Sequence, residues 1–424
     1  MLSEVWLLVS GLLVFIGLLA SEGLLLVVGS LAVVVWLAAR LWDKYVFRAV
    51  THSRSIGRKR AFIGDNIDYS VTLNNDKVLP LIWVDIQDAF PEGLELRGAV
   101  MCGSGLEPNR LHSIITSLLP YQRATWKFTL RCRQRGYHRI GPARLRSGDI
   151  FGFTAGEIQH TQVDHVLVYP KVIDLDQLLF LPEHPFGEVR GRRPLYQDTN
   201  RVMGQRDYQP GDPLKHIDWK ATARAIQLQT RVFEPAVSLN MLIAMNGSTS
   251  DHVWQGSNRR LFERAVTAAA SAASMAERRG YSYGLISNAV ASYSGKWLNI
   301  PTGASSSQLP LVLEALAMAA PYVVASLTEV FRAERGSVPA GATVLLVTGA
   351  ITGSISDQIA EMRARGYQVT VLYAGDGFPP DRIAGVPVFS MSQELDADLD
   401  AIYAGTTHPD DSNGEEKDEP VLAK

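Results

Sequence analysis

The chain has 424 residues, 46% of them hydrophobic, which is enough for two soluble domains that each bury a core. Its formal net charge of −2 excludes an argument for nucleic-acid binding from bulk charge, since phosphate backbones are bound by an excess of Lys and Arg. The two cysteines, Cys102 and Cys132, form no CxxC metal knuckle, and such sparse usage is typical of a reducing compartment.

The first 40 residues differ in composition from the rest of the chain. Two uncharged runs rich in Leu and Val cover residues 5–20 and 23–39, and each approaches the ~17 residues needed to cross a membrane. The break at residues 21–23 supplies a charge and a glycine for a tight turn. The sequence therefore predicts a transmembrane helical hairpin over residues 1–45, which contacts membrane lipid through residues 5–39.

Basic residues follow the second apolar run closely. The first Lys or Arg of the chain is Arg40, and six more cations lie between Lys44 and Arg60. Because such residues are retained on the cytoplasmic side of a membrane, we expect both termini and the soluble domains in the cytoplasm. A secretory signal peptide is the alternative, and the basic residues that normally precede its apolar segment are missing here.

Residues 55–170 contain short apolar stretches with period-two character, separated by turn residues, as in a β-sandwich-like module. The clearest predicted strands are Ile67–Leu73, Leu81–Ile86, Ala124–Cys132 and Val166–Tyr169. Residues 171–235 have little periodicity and many Arg, Pro, Gly and aromatic residues, so we predict an ordered connecting segment.

Residues 236–405 alternate between apolar strands and amphipathic helices, the pattern of a doubly wound, largely parallel sheet covered on both faces. The predicted elements are strands at 239–244, 283–287, 343–347 and 368–372 and helices at 260–279, 308–319 and 354–365. Ligands of such sheets bind at the carboxyl ends of the strands. Residues 406–424 are polar and mostly acidic, which predicts a disordered tail.

The loop after the first of these strands has a metal-type spacing. Residues 244–250 resemble the Asp-x-Ser-x-Ser loop of von Willebrand factor type A domains, with Asn246, Ser248 and Ser250 at the ligand positions. The resemblance implies Mg²⁺, with Thr302 as a further ligand. Because Asn246 replaces a carboxylate, metal affinity is expected to fall sharply. The alternative is a loop kept for its turn and hydroxyl caps.

The strongest motif of the chain runs from Gly204 to Arg224. Residues 210–213 predict a turn, and Ile217 and Trp219 alternate with polar residues as in a half-buried strand or a short extended arm. We expect Trp219 to be buried. Charges of both signs alternate along the run, which is compatible with a partner-binding surface or with pairs that lock domains together. The candidate residues for either role are Arg206, Tyr208, Asp212, Asp218, Trp219 and Arg224.

With residues 135–137 (Arg-Gly-Tyr) and 149–152 (Asp-Ile-Phe-Gly), this run resembles the domain of unknown function 58 family of bacterial membrane proteins. The resemblance extends over nearly the whole chain and includes a type A-like domain. It implies an accessory protein of the bacterial inner membrane that accompanies AAA+ ATPases of the MoxR type.

Enzyme motifs are absent from the sequence, which lacks a Walker loop, His-Glu-x-x-His, Gly-x-Ser-x-Gly and Gly-x-Gly-x-x-Gly. His216 and the nearby Asp218 are the only pair of residues in the sequence that we consider for acid/base catalysis. Hydrolysis by this pair is the most distant alternative for the function. The sequence favours a membrane-anchored cytoplasmic scaffold that binds protein, needs no cofactor and is not an enzyme. A Mg²⁺-dependent protein-binding module is the nearer alternative.

Overall fold

The computed structural model describes residues 2–99, 101–103, 109–149, 155–175, 197–209, 212, 214–235, 240–250, 256–292, 294–334, 342–392 and 395. The chain divides into two compact units, the first built from Met1–Lys171 and the second mainly from residues 172–397. The predicted tail at 406–424 and residues 176–196 of the predicted connecting segment lie outside the described residues.

The first unit begins with two apolar helices, α1 (Leu2–Leu19) and α2 (Gly23–Tyr45). They pack closely because two glycines face the partner helix: a Cβ on Gly17 would lie 2.9 Å from the backbone of Leu26, and one on Gly29 would lie 2.8 Å from Val14. Among the described residues, α2 is the one helix long and apolar enough to cross a membrane. Its length and composition suit a membrane anchor or a signal sequence.

Twelve strands complete the first unit: β1 (Val50–Ile56), β2 (Arg60–Phe62), β3 (Asn66–Asn75), β4 (Leu81–Pro91), β5 (Leu94–Arg97), β6 (Met101–Gly103), β7 (Asn109–Leu118), β8 (Arg123–Cys132), β9 (Gly136–Ile140), β10 (Ala143–Gly148), β11 (Ala155–His160) and β12 (Asp164–Tyr169). They form two antiparallel sheets, β1-β3-β8-β5 and β11-β10-β4-β7-β6, and a small sheet β2-β12-β9. The four predicted strands are observed as β3, β4, β8 and β12.

The two larger sheets enclose one hydrophobic core. Alternate residues of β3 point into it, as the period-two pattern requires, and Tyr69 packs edge-on against Phe90 of β4 at 5.4 Å between ring centroids. A buried ion pair also joins the sheets, since Arg54 of β1 lies 2.9 Å from Asp88 of β4. The Tyr69 hydroxyl donates to the same carboxylate at 3.0 Å.

The second unit contains β13 (Gln197–Asp207), a 3₁₀ turn (Leu214–His216), α3 (Trp219–Ala225), β14 (Gln229–Pro235), β15 (Asn240–Asn246), α4 (Arg259–Arg278), β16 (Ser282–Ala291), β17 (Trp297–Gly303), α5 (Gln308–Ala317), β18 (Ala319–Val323), α6 (Leu327–Ala333), β19 (Thr343–Thr348), α7 (Ser354–Ala364), β20 (Gln368–Tyr373), β21 (Arg382–Ile383) and β22 (Val386–Ser390). Strands β13 and β14 form an antiparallel pair with α3 between them in the chain. We call residues 197–235 the central hairpin.

The remaining strands form a mixed sheet of order β17-β16-β15-β19-β20-β22-β21, with β18 also paired to β16. Five neighbours, β16, β15, β19, β20 and β22, run parallel. Leu242 and Ala244 of β15 lie in the core beneath α6 and α7, while the intervening Met241 and Ile243 are equally buried. The strand is therefore covered on both faces, and this explains its continuous apolar sequence.

Candidate functional site

The short helix α3 is the organising element of the central hairpin. Asp218 caps its N terminus, since Oδ1 accepts hydrogen bonds from the backbone N–H groups of Lys220 at 3.1 Å and Ala221 at 3.2 Å. Ile226 ends the helix in the left-handed conformation and donates its N–H to Thr222. The predicted strand or extended arm is wrong at Trp219, because an aspartate at the cap position favours a helix start there, while Ile217 still pairs with Thr230.

Asp218 also fixes α3 to both strands of the hairpin. Its Oδ2 accepts from Arg231 Nε of β14 at 3.1 Å and from Gln205 Nε2 of β13 at 3.3 Å. The Ala221 N–H and then the Arg231 guanidinium hold the pKa of the Asp218 carboxyl below its usual value. With both oxygens engaged in this way, Asp218 is suited to holding a helix in place rather than to exchanging protons.

The predicted turn before α3 is held by an ion pair. Arg206 Nη2 donates to Asp212 Oδ1 at 2.7 Å, and Asp212 Oδ2 accepts the Gln209 N–H at 3.0 Å. The Arg206 hydrogen bond lowers the pKa of Asp212. Tyr208 is half-buried and binds Leu228 of the facing strand through its backbone N–H at 2.8 Å. Residues 210, 211 and 213 of this turn lie outside the described residues.

The outer side of the hairpin exposes large apolar groups beside basic ones. Trp219 is 68% exposed, Ile226 92% and Leu214 71%, so the expectation that Trp219 is buried is wrong. It is the first residue of α3. We call the following exposed residues the α3 surface: Leu214, Lys215, Trp219, Lys220, Arg224, Ile226 and Leu228.

A groove of about 450 Å³ runs beside α3. Its lining residues are Gln205, Asp218, Lys220, Ala221, Arg224, Ala225 and Gln229. Lys220 and Arg224 stand one helical turn apart, and neither forms an ion pair with an acidic residue in the part of the chain that the structure describes. Two cations and two amides at one groove can receive anionic or carbonyl groups of a partner.

The metal-type loop lies elsewhere in the unit, at the carboxyl end of β15. Asn246 is buried there, and its Oδ1 accepts the Ser248 N–H at 3.1 Å. Ser250 donates its hydroxyl to Gly256 O at 2.9 Å. The structure does not bring Thr302 to this loop: β17 runs antiparallel to β16 with Gly303 opposite Tyr283, at the amino end of the parallel strands.

Residues 204–374 match the family described as protein of unknown function DUF58. The match spans the central hairpin from Gly204 and the sheet as far as the end of β20. The chain is also 28% identical, over 335 residues, to the uncharacterized protein YeaD of Bacillus subtilis (strain 168), with 78% of this chain and 77% of that protein covered.

Two solved structures are similar to a smaller part of the chain. One is the CARDB domain of the PF1109 protein from Pyrococcus furiosus, in complex with di-metal ions, with 13% identity, a TM-score of 0.19 and 28% of this chain and 91% of that chain covered. The other is a cohesin module from a Clostridium perfringens family 33 glycoside hydrolase, with 10% identity, a TM-score of 0.21 and 28% and 96% covered. TM-scores this low carry no information about function.

Within the residues that match DUF58, the sequence analysis did not predict one residue of the metal-type loop site. Asn288 of β16 is fully buried, and its Oδ1 accepts the Gly247 N–H at 2.7 Å. It follows directly after the predicted strand at 283–287, and a polar residue at the carboxyl end of a parallel strand was the available signal. The described residues contain no cluster of three or more His, Cys, Asp or Glu side chains that could hold a metal ion.

Proposed function

We propose that the protein is a membrane-anchored scaffold that binds another protein through the α3 surface. The observation that carries the proposal is the exposure of Trp219 on a helix that Asp218 fixes to two strands. Exposed aromatic groups next to Arg and Lys are typical of interface anchors, and a rigid helix loses little entropy when it binds.

The charge of the α3 surface favours an acidic partner. The α3 surface contains the cations Lys215, Lys220 and Arg224 beside Trp219 in the chain, and none of them forms an ion pair with a described acidic residue. A partner with Asp or Glu around an apolar pocket would be complementary to this surface. The resemblance to the domain of unknown function 58 family suggests an AAA+ ATPase of the MoxR type as that partner, and the proposal assigns no catalytic step to His216.

The anchor in this proposal is α2, with the soluble units on the cytoplasmic face of a bacterial inner membrane. The cations that follow α2 support this orientation. We further propose that the second unit is a doubly wound domain of the von Willebrand factor type A kind. Its five parallel strands and the serine-containing loop after β15 support that assignment.

The test is a crosslinked pull-down of the full-length chain in detergent from its native host, with captured proteins identified by mass spectrometry. The variant Trp219→Ala/Arg224→Ala removes one aromatic and one cation from the α3 surface without touching a hydrogen bond of the hairpin. We expect the wild type to recover an AAA+ ATPase and the variant to recover at least about tenfold less, as expected for an interface anchor.

The matched control is Phe378→Ala/Arg382→Ala, which removes the same kinds of side chain at exposed positions away from the central hairpin. This control is expected to recover the ATPase at the wild-type level. Equal recovery by all three proteins would move the interface away from α3, and recovery of no AAA+ ATPase by the wild type would reject the proposed partner class.

A further inference from the structure

Three oxygen atoms converge on one amide nitrogen at the carboxyl ends of β15 and β16. Asn288 Nδ2 lies 3.4 Å from Asn246 Oδ1, 3.4 Å from Ser248 Oγ and 3.3 Å from the carbonyl oxygen of Ala325. A hard cation such as Mg²⁺ or Ca²⁺ binds a group of oxygens at distances of about 2.0–2.6 Å. The Asn288 nitrogen lies farther than that from all three oxygens, so it is not at the centre of a cation site but donates to oxygens that a cation could bind.

The orientation of this amide is set by its other end. Asn288 Oδ1 accepts the Gly247 N–H at 2.7 Å, so the nitrogen must face the three oxygens. The reverse orientation would place an oxygen against two oxygens that can only accept, Asn246 Oδ1 and the carbonyl oxygen of Ala325, and an NH₂ group against an N–H donor. Asn246 Oδ1 additionally accepts the Ser248 N–H, so neutral hydrogen bonds alone hold the start of the loop.

We propose that the Asn288 side-chain NH₂ group takes over the role of a cation in this loop, by donating to the oxygens that a cation would otherwise bind, so that the loop is preformed without a metal ion. The residues present therefore do not fit the Mg²⁺ that a type A loop implies. Two features could prevent this loop from binding a metal ion: the missing carboxylate at position 246 and the amide of Asn288. The geometry points to the amide, because its NH₂ group would still face the same oxygens if Asn246 became Asp.

Replacing Asn288 by Asp would exchange the donor for a fourth oxygen. That oxygen would stand about 3.4 Å from the other three, the spacing between neighbouring ligands when metal–oxygen distances are about 2.4 Å, as around Ca²⁺, whereas Mg²⁺ needs about 2.9 Å. Ca²⁺ is therefore the first probe, with Mg²⁺ and EDTA for comparison.

The experiment follows the thermal midpoint of the full-length chain in detergent by intrinsic tryptophan fluorescence, with EDTA and with millimolar Ca²⁺ or Mg²⁺. We expect no difference for the wild type or for Asn246→Asp. Asn288→Asp should have a lower midpoint in EDTA, because its carboxylate meets the acceptor oxygens of Asn246 and Ala325, and should gain at least about 2 °C with Ca²⁺. Asn258→Asp makes the same chemical change at an exposed helix cap and should not respond.

A wild-type midpoint that rises with either cation would overturn the proposal, and so would a response of Asn246→Asp, since charge alone would then decide binding. Absence of a Ca²⁺ response in a folded Asn288→Asp would equally reject the role assigned to the Asn288 NH₂ group. Should Asn288→Asp fold only with Ca²⁺ present, as judged by near-ultraviolet circular dichroism, that dependence would support it. If Asn288→Asp folds neither with nor without Ca²⁺, the test rests on Asn246→Asp alone. A midpoint of Asn246→Asp that does not change with either cation would then support the proposal.

Discussion

His52 is an imidazole placed where its protonated form is disfavoured. It lies in β1, 8% exposed, with its ring 5.6 Å from that of His160 and with Arg54 on the same face of the strand. Burial lowers the pKa of His52 to about 4, and the positive charges of Arg54 and His160 act in the same direction against the opposing effect of Asp164. Folding therefore favours the neutral form of this histidine.

The pKa of His52 predicts a loss of stability in acid. Between pH ~6.5 and ~4 the unfolded chain binds a proton at His52 that the folded chain does not, so stability falls as the pH falls through this window. From pH 7 to pH 5 the loss from this residue is about 2 kcal/mol. His52→Gln should reduce the acid sensitivity by that amount in urea unfolding, relative to its own value at pH 8. An unchanged pH dependence would contradict the buried neutral imidazole.

The helix α3 shows how one side chain selects an element. The pattern Ile217-Asp218-Trp219 alternates like a strand, but Asp218 satisfies two N–H groups at the start of a helix, which a strand does not need. Ile217 is buried and pairs with Thr230 of β14, while Trp219 opens the helix and is exposed. Two residues two positions apart thus have opposite environments because the backbone changes conformation between them.

Removal of the cap should loosen α3 selectively. Asp218→Ala is expected to speed amide hydrogen exchange in residues 220–225 by about tenfold, because two N–H groups lose their acceptor and Arg231 loses its partner. Asp218→Asn keeps an oxygen that can cap the helix and should come closer to the wild type. Exchange would be followed by mass spectrometry of the full-length chain, with α4 as the internal reference. Equal rates in all three proteins would show that α3 is held by other contacts.

At the scale of the molecule, the proposed interface combines exposed cations with exposed apolar groups. The net charge of −2 does not reveal the positive charge of the α3 surface, because acidic residues elsewhere in the chain offset its cations. Local charge rather than total charge steers association, and salt screens it.

Capture of the partner should consequently depend on salt. Raising the NaCl concentration from about 0.05 to about 0.5 M is expected to reduce recovery several-fold for the wild type, because charges at the interface are screened. Lys215→Gln/Lys220→Gln/Arg224→Gln should bind weakly at low salt and change little with added NaCl. Arg382→Gln serves as a control outside the surface and should behave as the wild type. If capture by the wild type did not depend on salt, the predicted electrostatic contribution would be wrong, and the interface would consist of the apolar groups alone.

The sequence by itself determined the elements whose residues are buried in a regular pattern. Ile67–Leu73 alternates because one face of β3 meets the core, and the continuous apolar run of β15 reflects burial on both faces. Periodicity is local, so helices and strands could be placed within a few residues. The two N-terminal helices followed from composition in the same way.

Tertiary structure alone decided which distant residues meet. The approach of Asn288 to Asn246, 42 positions away, follows from the parallel register of β15 and β16, and the antiparallel course of β17 carries Thr302 to the opposite end of the sheet. Likewise, Arg54 meets Asp88 only because two sheets pack face to face. Trp219 is exposed because no described element covers that side of α3, and coverage is a property of the assembled fold that a local pattern does not contain.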